Sequence, residues 1–404
     1  MSLTPQDLLQ ASREQLPGAV AMRRQIHMHP ELGLDLPETR NTVLAALRGL
    51  DLEIQESTKT SGLVATLRGA KPGPTLLLRG DMDALPMPEN TDVEFRSKVE
   101  GTMHACGHDA HTAMLASAIP VLHDRRSQLA GNVQFMFQPG EEGDGGARIM
   151  LEEGLLDEAD AGFAMHIFPL LPCGMVATRS GPIFASADIF KVEVIGKGGH
   201  ASMPHDAHDP IPVACEIVQA LQSFVTRRVN AFDPAVITVA RIQAGTTDNV
   251  IPETAHLEGT MRAVSERTRQ HVHEGIDRIA RGIAVAHDLD VKVEIKTGYP
   301  VTVNHPDFAQ FALATARELL GEDQVLEQPH PAMGAEDWSY VLQRIPGCMM
   351  ILGVRPEDAP AAPCHSNRMV LNEAGMAQGI ALHAAMALRY LDGTERDFSP
   401  VTAP

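Results

Sequence analysis

The sequence predicts an α/β protein with a mostly parallel mixed sheet, interrupted by a smaller α+β domain. Three observations carry this. Short apolar runs alternate with helical periodicity before Phe184. Near Asp188 the pattern changes to apolar/polar alternation, as in a strand with one wet face. From Pro306 the first texture returns. The boundaries follow: residues 1–184 and 297–404 form one domain, and 185–296 form an insert.

The first 50 residues read as helical, because Leu8, Leu9, Leu16 and Val20, then Val43, Leu44, Leu47 and Leu50, recur at helical spacing. Between them, His27 to Gly33 reads as a loop, since Pro30 and Gly33 break helices. Leu63–Leu67 and Thr75–Leu78 are apolar runs that read as buried strands. Ala110–Leu122 reads as a helix that Pro120 threatens to cut. Val133–Phe137 and Ala161–Ile167 are further strands. In the insert, Ile189–Ile195 is a strand, and a helix starts at Asp209 with Pro210 in its first turn. Val236–Ala240 and His256–Met261 are strands, Arg267–Ala286 a helix and Val291–Ile295 a strand. This β-α-β-β-α-β order is ferredoxin-like. A strand at Met349–Leu352 and a helix from about Glu373 to Tyr390 close the chain.

The chain has 404 residues, 44% of them hydrophobic and 21% charged, which excludes a mainly disordered protein. Lys and Arg number 33 against 52 Asp and Glu, a net charge of −19. Such a surface repels nucleic acid and anionic membranes. Five cysteines, an odd number in a long chain, fit a reducing compartment. The first residues, MSLTPQDLLQ, show no signal peptide, and the most apolar stretch, 161–178, is too broken by Pro and Gly for a membrane helix. The expectation is a soluble cytoplasmic protein.

The densest chemistry lies in His104-Ala105-Cys106-Gly107-His108-Asp109-Ala110-His111. A soft thiolate, imidazoles and a carboxylate this close suit zinc, manganese, cobalt or nickel better than magnesium or calcium. Glu141 and Glu142 follow the strand Val133–Phe137, where ligands of open α/β sheets gather. One carboxylate can bind metal while its neighbour serves as general base, the division that metal-assisted hydrolysis requires. Asp83, after another strand, can orient a metal-binding histidine from behind; Asp81 can do the same or cap a turn. His166 ends the strand Ala161–Ile167, and His365 lies in a loop before the last helix. Taken singly, His166 and His365 read as structural or loop histidines. A structural zinc site is disfavoured, because no paired Cys-x-x-Cys is present.

These segments, in this order, resemble the M20 metallopeptidase family and its amidohydrolase branch of hippurate hydrolases, N-acyl-amino-acid deacetylases and indole-acetyl-amino-acid hydrolases. The matching stretches include His29 to Gly33, Gly80 to Pro86, His104 to His111, Gln138 to Gly143 and His166 to Pro169. They continue through Gly198 to Ala201, Asn249 to Pro252, Gly259 to Arg262, Gly334 to Asp337 and Cys364 to Ser366. The resemblance implies two divalent metal ions per chain, Mn²⁺ or Zn²⁺ before Co²⁺ or Ni²⁺, on Cys106, His108, Glu142, His166 and His365. Cys106 falls on a bridging ligand and Glu141 on the general base. His200 resembles a residue that reaches a partner's active site to stabilise the oxyanion. Asn249 and Arg262 resemble residues that hold the substrate's carboxylate or carbonyl. The insert is expected to be a lid or to form a homodimer. After His365 the chain departs from the branch pattern, with Ser366-Asn367-Arg368-Met369 where a small residue, Pro and an aromatic are common.

The expected activity is metal-dependent hydrolysis of N-acyl amino acids, with acetyl, benzoyl or indole-acetyl acyl groups. A dipeptidase or aminopeptidase of the same family and a non-catalytic metal-binding protein are the alternatives.

Overall fold

The computed structural model describes residues 4–357, 360–396 and 398. The chain forms two compact units. The first comprises the described parts of Met1–Ile183, Val303–His330 and Asp337–Val401, and the second comprises Phe184–Thr302 with Pro331–Glu336. The short return of 331–336 to the second unit departs from the boundaries expected from sequence. Backbone pairing explains it: the Ala185 N–H donates to the carbonyls of Ala332 and Gly334.

The first unit is built on an eight-stranded mixed sheet. Its centre is parallel. Lys71–Asp81 lies between Ala130–Gln138 and Ala161–Phe168, and Gly347–Gly353 pairs with the far side of Ala161–Phe168. Antiparallel strands flank this centre: Leu63–Arg68 on one side, and Val176–Thr178 on the other. The central strands are buried along nearly their whole apolar runs, as both-face coverage by helices demands. Helix Pro5–Met28 packs on helices His108–His123 and Met376–Tyr390. Parallel pairing brings the carboxyl ends of the central strands to one edge, where Asp81, Gln138, His166 and Gly353 sit.

Several local outcomes differ from the sequence reading. Helix Pro5–Met28 runs through His27, because Arg23 and His27, one turn apart, both bind buried Asp109. Pro120 does not cut its helix, which continues to His123. Only one turn follows the proline, and buried Val121 and Leu122 hold it against the core. Glu31, in the loop before helix Pro37–Ala46, accepts the N–H groups of Glu38 and Thr39 and so caps that helix.

The second unit has a four-stranded antiparallel sheet in the order Ala235–Ala244, Thr254–Ala263, Asp188–Ile195, Asp290–Thr297. Helices Pro210–Arg228 and Glu266–Ala286 cover one face, giving the β-α-β-β-α-β arrangement. Asp209 caps the first helix through the Ile211 N–H and Ser265 caps the second through the Thr268 N–H. The alternating burial of Asp188–Ile195 leaves the other face wet. Among the described residues no helix is long and apolar enough to cross a membrane.

Candidate metal centre and active site

Cys106, His108, Glu142, His166 and His365 come from four separated stretches of the first unit, and their donor atoms converge. The Cys106 Sγ lies 3.3 Å from His166 Nε2. Glu142 Oε1 lies 3.9 Å from His108 Nε2 and 3.2 Å from His365 Nε2. Overlapping trios, Cys106/His108/His166, Cys106/Glu142/His365 and His108/Glu141/Glu142, each have one donor atom per residue within 4.8 Å of the others.

Local backbone geometry presents these groups. Gly107 separates Cys106 from His108 and takes a left-handed conformation, φ 86°. A Cβ there would stand 2.5 Å from Ile167 Cγ1, so glycine alone fits. The turn lets Cys106 leave the loop while His108 opens the helix. His365 also has positive φ, 65°, which is uncommon for a residue with a side chain and marks a constrained position. Its N–H donates to the Ala105 carbonyl at 2.8 Å, tying the two loops together. His166 donates from Nδ1 to the Ile167 carbonyl at 2.7 Å, leaving Nε2 as the bare nitrogen that faces Cys106.

Asp83 organises the acidic turn. Its two oxygens accept the N–H groups of Glu141 and Glu142, each at 3.0 Å, and Oδ1 also stands 3.4 Å from His108 Nδ1. Glu141 is buried beside Glu142 and shares a possible donor group with His108. Beneath them lies a buried ionic network. Arg79 pairs with Asp81 and Asp337, and Gln138 bridges Arg79 to Asp337. Asp81 also faces His108 Nε2 at 3.5 Å and His111 Nδ1 at 2.5 Å.

The electrostatics favour a cation. Burial disfavours the His108 imidazolium, yet Asp81, Asp83 and Glu142 outweigh it and push its pKa up to about 10. The Cys106 thiol is held well above its ordinary value by its hydrogen bond to Cys364, by burial and by the neighbouring glutamates. Both ring nitrogens of His108 and Glu142 Oε1 are buried and, beyond the contacts to Asp81, Asp83 and His365 already given, make no well-aligned hydrogen bond among the described residues. Orphaned donors of this kind are costly unless something binds them. A thiolate, imidazoles and a carboxylate fit first-row divalent ions, so these residues suit such a group.

The remaining motif members have other partners. Asp109 accepts from Arg23 at 3.0 Å and His27 at 2.8 Å. His104 is buried, which holds its pKa down at about 3. Sequence alone gives Asp81 only an alternative role and, although Arg79, Gln138 and Asp337 lie in or beside the matching stretches, assigns these three none. The available signal for Arg79, Asp81 and Gln138 is their place directly after the apolar runs 76–78 and 135–137, at the carboxyl ends of two strands; Asp337 lies in no strand and carries no such signal.

In the second unit, Gly199–His200 pairs with Val250–Ile251, and the Ala201 N–H donates to the Asn249 carbonyl at 3.1 Å. His200 and Asn249 are therefore neighbours. The Ser202 N–H donates to His200 Nδ1 at 3.1 Å, which leaves Nε2 to carry the ring proton. Arg262 lies in strand Thr254–Ala263 opposite Val236, half-buried.

Comparison with known proteins identifies the family. The sequence pattern of peptidase family M20/M25/M40 matches residues 77–389. Thermostable carboxypeptidase 1 of Saccharolobus solfataricus is 38% identical over 376 residues, 92% of this chain and 95% of the relative. N-acetylcysteine deacetylase of Bacillus subtilis is 40% identical over 335 residues, 83% of this chain and 87% of the relative. A solved Bacillus subtilis structure, a dinuclear metal-binding peptidase of the M20 family, is 34% identical with a TM-score of 0.83, covering 95% of this chain and 100% of that one. Sequence, fold and donor cluster thus agree that this chain belongs to peptidase family M20/M25/M40 and is a hydrolase of amide bonds.

Proposed function

We propose that the protein hydrolyses N-acyl amino acids to a carboxylic acid and a free amino acid, using two divalent ions on Cys106, His108, Glu142, His166 and His365. The observation that carries this reading is the convergence of those five donors beside Glu141. The names of the relatives, a deacetylase of N-acetylcysteine and a carboxypeptidase, support an amino acid as the leaving group. The donor set fits first-row divalent ions, with Mn²⁺ or Zn²⁺ expected before Co²⁺ or Ni²⁺.

When bound, such ions act as Lewis acids toward water and the scissile carbonyl. Glu141 takes the proton of the attacking water and hands it to the leaving amine. Its backbone is clamped by Asp83, so its carboxylate is presented from a fixed turn. His200, from a partner subunit or a closed lid, donates Nε2–H to the oxyanion, the role its Ser202-fixed tautomer supports. Arg262 and Asn249 hold the substrate's carboxylate or carbonyl; the Arg fork matches both carboxylate oxygens. The second unit serves as lid or homodimer contact, and the enzyme works in the cytoplasm.

The test is release of free amine from N-acetyl, N-benzoyl and indole-acetyl amino acids and from unblocked dipeptides, with Mn²⁺ or Zn²⁺ and a chelated control. Chelator-sensitive release from the blocked substrates is expected. Release from free dipeptides alone would move the protein to the dipeptidase side, and metal binding without any turnover would favour a non-catalytic role. Glu141→Gln should keep its metal and lose about 10²–10⁴ in rate; a near-normal rate would remove Glu141 from the mechanism.

A further inference from the structure

His111 is outside the five-donor set, yet it is buried within it. It lies in the first turn of helix His108–His123, with only 1% of its surface exposed. Nδ1 faces Asp81 Oδ1 at 2.5 Å, and Nε2 accepts the Ile167 N–H at 2.8 Å. A peptide N–H can only donate, so Nε2 is bare and Nδ1 carries the ring proton. Asp81 accepts that proton's hydrogen bond, and its charge is balanced by buried Arg79.

The register of the sheet explains why the Ile167 N–H turns to a side chain. Strand Ala161–Phe168 pairs with Lys71–Asp81 only as far as Ala164 opposite Arg79. Beyond that point the N–H has no strand partner on that side, and a buried N–H needs an acceptor. Ile167 has a second duty, since its carbonyl accepts the Nδ1–H of His166 at 2.7 Å. One residue of backbone is therefore held by His111 at its N–H and orients the His166 ring with its carbonyl. The other ring nitrogen of His166 faces Cys106.

We propose that His111 is a positioning residue that, by holding the Ile167 N–H, sets the direction of the His166 ring and so the metal affinity of the site. The inference rests on the metal reading above. Bonds behind a ligand typically govern its orientation and basicity. This one acts through a backbone segment rather than on the ring directly.

Two substitutions of similar polarity separate positioning from bulk. His111→Gln puts an amide near the Nε2 position and keeps an acceptor for the Ile167 N–H. His111→Asn puts its amide near the Nδ1 position, keeps the Asp81 contact and leaves that N–H unpaired. The full-length chain and both variants are titrated with Zn²⁺ against a chromophoric chelator, and the visible absorption of the Co²⁺ form is recorded. The Asn variant should bind about 10–100-fold more weakly with an altered Co²⁺ spectrum, while the Gln variant stays within about threefold of wild type. Equal affinities for the two variants would overturn the inference, as would wild-type affinity in the Asn variant. A wild-type chain that takes up neither ion would overturn the metal reading itself, and this inference with it. The ¹⁵N shifts of the His111 ring in the wild-type protein test the same point without any substitution. Nδ1–H with bare Nε2 is expected, and the opposite tautomer would refute the assignment.

Discussion

Gly107→Ala probes the turn that sends Cys106 and His108 in different directions. A residue with a side chain held in the left-handed region costs ~1–2 kcal/mol. The new Cβ would also stand 2.5 Å from Ile167 Cγ1 and 2.7 Å from Cδ1, in a fully buried setting. Overpacking of this kind costs ~1–3 kcal/mol, so the two effects together come to about 3 kcal/mol. Ile167→Ala removes both clashing atoms, at its own cost of ~2–5 kcal/mol for the lost packing. In that background Gly107→Ala should cost only the backbone share, ~1–2 kcal/mol. The double-mutant cycle therefore predicts a favourable coupling of ~1–3 kcal/mol. Urea unfolding followed by tryptophan fluorescence measures it cleanly. Trp338 is the chain's single tryptophan, is fully buried and belongs to the first unit, so it reports that unit alone. Additive costs, or a Gly107→Ala protein as stable as wild type, would refute the steric account of this turn.

Asp83→Ala leaves the Glu141 and Glu142 N–H groups without their acceptor, and metal affinity should fall about 10–100-fold by competition titration; unchanged affinity would sever Asp83 from the site. In the second unit, Asp188 is buried against Arg269 and His273, and although burial opposes its charge, those partners hold its carboxyl well below the ordinary value. A depressed folded pKa stabilises above the unfolded value near 3.8 and loses that contribution as pH falls through the folded pKa. Asp188→Asn should then destabilise the protein by about 3 kcal/mol at neutral pH and flatten its acid dependence below pH ~4, as read by thermal unfolding across pH. A full acid dependence in the variant would contradict this. Because the Cys106 thiol sits above its ordinary pKa, loading metal as thiolate must expel a proton. The His108 imidazolium must lose its proton as well, so Zn²⁺ uptake should release protons and apparent affinity should rise with pH in calorimetry run in buffers of different ionisation enthalpy; a flat profile between pH ~6 and ~8 would argue against both Cys106 and His108 as ligands.

The parts of the fold that were legible in sequence are those where burial imposes a period. Leu63–Arg68 and Ala161–Phe168 are apolar because both faces are covered, and the second unit alternates because one face is wet. Strand Glu53–Glu56 was missed for the converse reason: it is an edge strand exposed at every residue, so no apolar pattern marks it. Helix Gly146–Glu152 follows a glycine-rich turn and is short, which hides its period. In the site, density of chemistry within eight residues drew attention to Cys106 and His108, but density did not sort its members. Asp109 and His104 look identical in kind to their neighbours, yet Asp109 serves Arg23 and His27. His365 stood out only through resemblance, because a lone loop histidine carries no local signal. Its left-handed backbone is a property of the folded loop that composition does not encode.

The first unit leaves off at Ile183 and resumes at Val303, and this has a consequence for biosynthesis. Four of the five proposed donors have been made once His166 leaves the ribosome, but His365 follows 199 residues later (365 minus 166). At ~5–20 residues per second that is a wait of about 10–40 s. During it, strand Ala161–Phe168 lacks its parallel neighbour Gly347–Gly353, and its open apolar edge is the sort of template on which nascent chains pair wrongly. The insert can fold in that interval, since its core draws only on residues between Phe190 and Ile295. Completion of the proposed metal centre and closure of the central sheet thus become one late event, triggered by the same returning segment of chain.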